Sequence, residues 1–281
     1  MGKDKEKGNK GIRGGKESVK EENNADGNRD WMADLKKYED FLRKIDLGKY
    51  SNLREIKTVE QDLPKEMLPL DIYYEYYWDK TDFKDFNDVF EIYWVEKLHH
   101  IMKFIEKYFY GCSISFVKEG LKARLYRIWM SILTQFHFQY LWNALFDEKL
   151  ISDAELDRKG IDAVADFEGR CVGFQIKKIS YRREASERRF ASGRRRVVDV
   201  IVEVPYIVVD EEELKRRIES RRVRDTTREY YRKLLAQFKE NFRKYDNGFV
   251  VFTENYLRKV HDKVKEKALT VNKIPYDEFL G

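Results

Sequence analysis

The sequence predicts an α/β protein: a mixed central β-sheet flanked by helices, with a helical, aromatic-rich region preceding it. Three observations carry this. Residues 160 to 180 alternate in apolar and polar character with the period of a β-hairpin around a glycine-bearing turn. Two further β-branched runs, at 197–204 and 248–253, are separated by a long polar segment with helical spacing. Between 121 and 145 the apolar residues recur at three and four positions, as in one long helix.

The elements follow in chain order. Residues 1–30 are Gly, Lys, Asn, Glu and Asp with almost no apolar side chain, too little to offset chain entropy, so a disordered tail is expected. A helical region is expected over 31–118. Leu35, Tyr38, Leu42 and Ile45 keep helical spacing until Gly48, and Pro64 and Pro69 break the chain into loop. Tyr73, Tyr74, Tyr76, Tyr77 and Trp78 follow, then a helix through Phe86, Phe90, Tyr93, Trp94, Leu98, Ile101 and Ile105. Aromatics at helical spacing are read as core, although such rings also stack on bases in single-strand binders. The sheet-bearing unit is expected over 119–281. Its long helix carries a buried stripe of Leu125, Ile128, Ile132, Phe136, Tyr140 and Ala144. After the hairpin and the third strand, Pro205 suggests an edge or a bulge. Asp210 suits a helix N-cap ahead of Glu211, Glu212 and Glu213, with that helix reaching about Tyr245. A short strand near 248–253 and a last helix over 254–269 complete one mixed sheet.

Composition narrows the classes. The chain has 281 residues, enough for one large domain, with 42% hydrophobic and 15% aromatic residues to build a core. No apolar stretch approaches the ~20 residues that span a bilayer, and no signal peptide opens the chain. Cys112 and Cys171 match no metal spacing, so a reduced, cytoplasmic compartment is expected. The net charge of +5 leaves open whether one face binds a polyanion. No Walker loop or Gly-x-Gly-x-x-Gly follows a strand, and no zinc spacing or Ser/His/Asp signature is visible. His99 and His100 neighbour each other on a helix and point apart, and His137 lies among aromatics.

The chemistry concentrates in the hairpin. Asp162, Val164 and Asp166 share one face of its first strand, and Gln175 and Lys177 one face of its second, with Val172, Phe174 and Ile176 opposite. With Phe167 facing Val172 across the turn 168–171, Asp162 lies opposite Lys177. Carboxylate and carbonyl oxygens suit Mg2+, which neutralises charge developing on a phosphate and acidifies an attacking water. A lysine beside them orients the nucleophile and stabilises the transition state. The pattern resembles the PD-(D/E)xK nuclease motif with Gln175 where Glu is usual; the same spacing also suits a solvated sheet face without chemistry. After Lys177 come Lys178, Arg182, Arg183, Arg188, Arg189, Arg194, Arg195 and Arg196. Beside the hairpin these read as a DNA-contact segment, arginine binding phosphates and guanine edges in pairs of hydrogen bonds. Otherwise they are a solvated charge run, as Arg216, Arg217, Arg221, Arg222 and Arg224 equally are.

Further segments carry a more specific resemblance. Ile56-Lys57-Thr58-Val59-Glu60-Gln61-Asp62-Leu63-Pro64, the Tyr- and Trp-rich run to Trp78, and Asp157-Arg158-Lys159-Gly160-Ile161-Asp162 with the hairpin resemble the TaqI-type restriction endonucleases, from about Trp31 to Leu280. The resemblance implies Mg2+-dependent cleavage of double-stranded DNA within TCGA by a homodimer, with a cognate DNA methyltransferase in the same host. It implies two acids five residues apart, mapping onto Asp157 and Asp162. Asp162 would bridge the metal, Asp157 would be an outer or second ligand, and Lys177 would lie near the attacking water, with Lys178 its substitute if the register shifts by one. Gln175 departs from the commoner Glu, and Asp166 or Glu148 would then compensate. Other readings are a structure-specific repair or junction nuclease of the same fold, a non-catalytic nucleic-acid-binding protein, and a helical protein that binds other proteins through its aromatic segments.

Overall fold

Asp30 caps the first described helix, its carboxylate accepting from the Ala33 amide, and α1 (Trp31–Lys44) buries Trp31, Leu35, Tyr38 and Leu42 at the expected spacing. A computed structural model describes residues 29–179, 198–209 and 211–279. Residues 1–28 of the tail expected over 1–30, the arginines from Arg182 to Arg196 and the N-cap expected at Asp210 lie outside them, whereas Arg29 and Asp30 lie inside, Asp30 as the cap and Arg29 bound to Asp34. A 3-10 turn (Gly48–Arg54) and the proline-bearing loop lead to α2 (Leu70–Tyr74), which runs on as one π-helical turn (Glu75–Asp79). The next helix, expected to be continuous, is two, α3 (Phe86–Glu96) and α4 (Leu98–Tyr108), parted where Lys97 leaves helical geometry at φ −97° and ψ 4°.

Helix α5 (Ile114–Leu145) begins earlier than the apolar stripe suggested, because Ser113 caps it, accepting from the Phe116 amide at 3.2 Å. At 32 residues it is about 48 Å long. The boundary expected after residue 118 falls inside it. From Ile132 to Asn143 every residue is buried, not a stripe alone, which makes this half of α5 the axis of the molecule. Tyr38, Tyr73, Tyr77, Tyr93, Phe86 and Phe90 are core together with Trp129 of α5 itself, so the aromatic run is packing, as its spacing indicated. Tyr38 Oη donates to the Leu133 carbonyl at 2.8 Å and Tyr73 Oη to that of Leu125 at 3.1 Å, satisfying both phenols without water.

After a short helix, α6 (Ala154–Arg158), come strands β1 (Ala163–Phe167), β2 (Arg170–Ile179) and β3 (Val200–Ile207). With β6 (Lys273–Ile274) they form a sheet of order β1-β2-β3-β6, antiparallel between β1 and β2 and parallel elsewhere. One face (Ala163, Phe167, Val172, Phe174, Val200, Val202) packs on α5, where Trp142 meets Phe174 at 5.0 Å between ring centroids. The other face carries a small cluster of Ile161, Val164 and Val198 and the polar residues of the hairpin.

Pro205 sits inside β3, yet the edge expectation holds locally. The Ile201 amide donates to the Asn272 carbonyl, so odd-numbered residues of β3 turn their backbone toward β6, and that pairing ends at Val202. The missing N–H of Pro205 therefore costs no ladder bond, and its carbonyl accepts from Tyr256 Oη at 2.8 Å. The helix expected to run to Tyr245 is instead α7 (Glu211–Glu219) and α8 (Asp225–Asn241), broken where the Arg228 guanidinium binds the carbonyls of Ser220 and Val223. The strand near 248–253 does not join the main sheet. It is β5 (Val250–Phe252), paired with β4 (Phe242–Lys244) as a separate hairpin, before α9 (Glu254–Lys267). Among the described residues no helix is long and apolar enough to cross a membrane.

Gly120 marks the closest approach of α5 to the loop before α2. A Cβ there would collide with Thr58 Oγ1 and the Val59 side chain. Intrinsic propensity favours alanine over glycine in a helix by about 1 kcal/mol. Gly120→Ala is nevertheless expected to lower the thermal unfolding midpoint, which calorimetry checks; an unchanged or raised midpoint contradicts this packing.

Candidate active site on the hairpin

The turn decides the register. Glu168 and Gly169 both have positive φ, 52° and 84°, forming a two-residue loop closed by the pair Phe167–Arg170. The expected pairing of Phe167 with Val172 is therefore displaced by two residues. The ladder runs Ala165 to Val172 and Ala163 to Phe174, so one further step sets Asp162 beside Gln175, not opposite Lys177. A shift of two preserves the faces. Asp162, Gln175 and Lys177 still share one side of the sheet, and Lys178 lies on the other.

Each group is held differently. The Asp162 amide donates to the Phe174 carbonyl at 2.9 Å, and its carboxylate Oδ2 accepts from the Ile176 amide at 2.5 Å. Burial raises the proton affinity of this carboxylate, the nearby negative charge of Asp157 raises it further, and the Ile176 amide and Lys177 only partly oppose them. Asp157 stands in α6, whose start is capped by Asp153 accepting from the amides of Glu155 and Leu156. Its affinity for a proton is also raised by burial, opposed by hydrogen bonds from Gln135 and Tyr74. Gln175 is buried, 7% exposed, and its Nε2 donates to the Gly160 carbonyl. That contact leaves Oε1 buried with no hydrogen-bond partner. Two buried carboxylates that repel each other, next to a carbonyl oxygen without a donor, are a donor set that fits a hard divalent cation. Among the described residues no group of three or more His, Cys, Asp or Glu side chains gathers as a metal cluster, so such an ion would rest on two carboxylates, the amide and water.

Lys177 Nζ lies 2.5 Å from Glu203 Oε1, and Lys273 reaches the same oxygen at 2.9 Å. Glu203, 3% exposed, was not singled out in the sequence, though it is the single charge in the β-branched run Val200-Ile201-Val202-Glu203-Val204. Register puts it beside Gln175 on β2. Burial near the ammonium and the like charge of Arg54 lower the basicity of Lys178. Sequence reading placed Tyr74 only among the core aromatics and passed over Ser152, Gln135 and Gln139; all four contact Asp157 or the Asp162 carbonyl. Polar residues two turns inside an apolar helix were the available signal.

The two compensating ligands considered for Gln175 are elsewhere. Asp166 is four residues further along the strand, about 13 Å away, and accepts from the Gly169 amide in the turn. Glu148 binds His261 Nε2 and Lys265 Nζ, each at 3.0 Å. Neither cysteine is paired, and His137 is buried against Glu39 at 3.4 Å.

A hairpin that sets an acid, an amide and a lysine on one face, with a second acid supplied by α6, suits phosphodiester hydrolysis, and likeness to known proteins falls in the same class, the restriction endonucleases. The chain matches the family model of the TaqI restriction endonuclease over residues 35–264. It is 44% identical over 251 residues to the type II restriction enzyme TthHB8I of Thermus thermophilus, covering 87% of this chain and 93% of that one. It is 42% identical over 244 residues to the type II restriction enzyme TaqI of Thermus aquaticus, covering 85% and 90%. No solved structure matches. The chain belongs to the TaqI restriction endonuclease family.

Glu148 offers a test of its structural assignment. Burial would raise its pKa, but the hydrogen bonds from His261 and Lys265 prevail and hold it at about 2 against an ordinary 4.5. A depressed carboxylate stabilises the fold above its unfolded pKa, and that contribution disappears as pH falls through the folded value. Glu148→Gln is thus expected to lower stability in urea titrations at pH 7, with the difference vanishing between about pH 4.5 and 2, and to leave DNA cleavage intact.

Proposed function

We propose that this protein is a type II restriction endonuclease that hydrolyses double-stranded DNA at a short palindromic site, TCGA, with Mg2+ as cofactor. The observation that carries the reading is a buried Asp162 that feels the charge of Asp157 from α6 and stands one register step from Gln175, whose Oε1 has no hydrogen-bond partner among the described residues, in a chain of the TaqI family. Asp162, Asp157 and Gln175 would hold the ion, which when bound neutralises charge on the phosphate and acidifies water. Gln175 contributes a neutral oxygen in place of the usual carboxylate, so the site presents two negative charges to the cation instead of three. Lys177, on the same face, orients the nucleophile and stabilises the charge developing in the transition state, with Glu203 fixing where its ammonium rests. Lys178 and the arginines Arg182, Arg183, Arg188, Arg189, Arg194, Arg195 and Arg196 hold the DNA backbone and bases. In-line hydrolysis leaves 5′-phosphate and 3′-hydroxyl ends. A homodimer matches the two-fold symmetry of the site, and a cognate methyltransferase in the same cytoplasm protects host DNA.

The test is plasmid cleavage with Mg2+ and with EDTA, followed by sequencing of the ends. Discrete fragments ending within TCGA support the whole reading. Ends at another palindrome keep the chemistry and discard the specificity, whereas cuts set by DNA structure indicate a junction or repair nuclease. Asp162→Ala is expected to abolish cleavage, by at least ~1000-fold, while leaving DNA binding in EDTA unchanged. Full activity of that variant removes Asp162 from the site. Lys177→Met and Lys178→Met assayed side by side decide which lysine serves; the assignment requires the larger loss at Lys177.

A further inference from the structure

Five polar side chains are buried in the fully enclosed half of α5: Thr134, Gln135, His137, Gln139 and Asn143. Three find their partners away from the hairpin face: Thr134 at the Met130 carbonyl, His137 through Nε2 at Glu39, and Asn143 at both backbone groups of Leu150. The amide nitrogens of Gln135 and Gln139 are directed to the two acids, while Gln139 Oε1 is buried without a partner among the described residues. Gln135 Nε2 lies 3.0 Å from Asp157 Oδ2 and 3.1 Å from Tyr74 Oη. Tyr74 Oη is 2.8 Å from Ser152 Oγ, Ser152 Oγ is 2.6 Å from the Asp162 carbonyl, and Gln139 Nε2 donates to that carbonyl at 2.8 Å.

Counting protons gives these contacts a direction. The amide of Gln135 has two hydrogens, one for Asp157 and one for Tyr74. The single phenol hydrogen of Tyr74 is shared between Ser152 Oγ at 2.8 Å and Asp157 Oδ2 at 3.3 Å, and the single hydroxyl hydrogen of Ser152 goes to the Asp162 carbonyl. The hydrogens of Gln135, Tyr74 and Ser152 are all engaged, and the chain of donors ends on the two acidic residues. Ser152 is itself fixed, because Ile151 and Val164 exchange two backbone hydrogen bonds at 2.8 Å beside it. The acceptor side also dictates the orientation of Gln135: only its nitrogen end can face a carboxylate.

We propose that Gln135 and Tyr74 are positioning residues for the cation site, holding the Asp157 carboxylate and the Asp162 backbone in the arrangement that receives the metal. This rests on the function proposed above. Neither residue touches DNA or the ion; both act through the acids. Partners of this kind in metal sites typically change metal affinity about 10–100-fold when removed.

The experiment uses the full chain and two variants that delete donors while keeping volume, Gln135→Met and Tyr74→Phe. Mn2+ binding to the DNA-free protein is read by electron paramagnetic resonance, and the Mg2+ requirement by the concentration giving half-maximal plasmid cleavage. Both quantities are expected to weaken about 10-fold or more, with cleavage at saturating Mg2+ within about 3-fold of the parent and DNA binding in EDTA unchanged. Unchanged Mn2+ affinity, with activity falling only as the folded fraction falls, overturns the proposal and leaves the network a packing device. If Gln135→Met fails to fold, Tyr74→Phe and Ser152→Ala read the same quantities, and unchanged affinity in both overturns it equally. Asp162→Ala separates the two readings: if that variant still cleaves, the function assigned to the hairpin fails; if it does not, while Gln135→Met and Tyr74→Phe bind Mn2+ normally, the positioning role alone fails.

Discussion

The fold depends on the complete burial of the second half of α5. A helix enclosed on every side cannot leave a polar side chain to water, so each of its amides and its histidine reaches a partner on an element packed against it with at least one atom, while His137 Nδ1 and Gln139 Oε1 stay unpartnered among the described residues. Those partners connect the molecule. His137 reaches Glu39 on α1, Asn143 clamps the strand-like segment at Leu150, the Trp142 indole donates to the Glu148 carbonyl, and Gln135 and Gln139 reach the hairpin. The aromatic shell around α5 excludes water, and the polar contacts fix which way each packed element faces.

The same enclosure shapes the electrostatics of the hairpin. Asp157 and Asp162 are desolvated and repel each other, so each holds a proton more tightly than an exposed carboxyl does. Such a pair is tolerated where neutral donors and backbone amides share its charge, and it is poised to exchange protons for a cation. Gln175, a neutral side chain buried one register step from Asp162, adds no further charge to be desolvated there. On the neighbouring strand Glu203 takes the opposite course, its carboxylate balanced by two lysines.

Much of this was legible along the chain. The class of fold, the faces of the hairpin, the aromatic core and the family resemblance follow from period-two and period-3.6 spacing and from short motifs, all of which are local. The ladder register was misplaced by two residues because it hangs on whether the turn has two or four residues, and Glu168 adopting positive φ is not apparent from residue type. The helix after residue 210 was read as continuous because charged residues satisfy helical spacing on either side of a break made by Arg228 and two carbonyls. The strand at Val250–Phe252 looked like a sheet strand, and its partner, Phe242–Lys244, looked like the end of a helix.

By itself the sequence determined which side of their strands Asp162, Gln175 and Lys177 occupy, because alternation is imposed by the backbone at every second residue. Tertiary structure alone decided what surrounds them. Tyr74, Gln135, Gln139 and Ser152 are spread over three segments and meet at Asp157 and Asp162 only when α5 crosses the sheet, and Glu203 comes beside Gln175 only through parallel pairing of β2 and β3. Such contacts join residues far apart in the chain, and spacing within any one segment holds no trace of them.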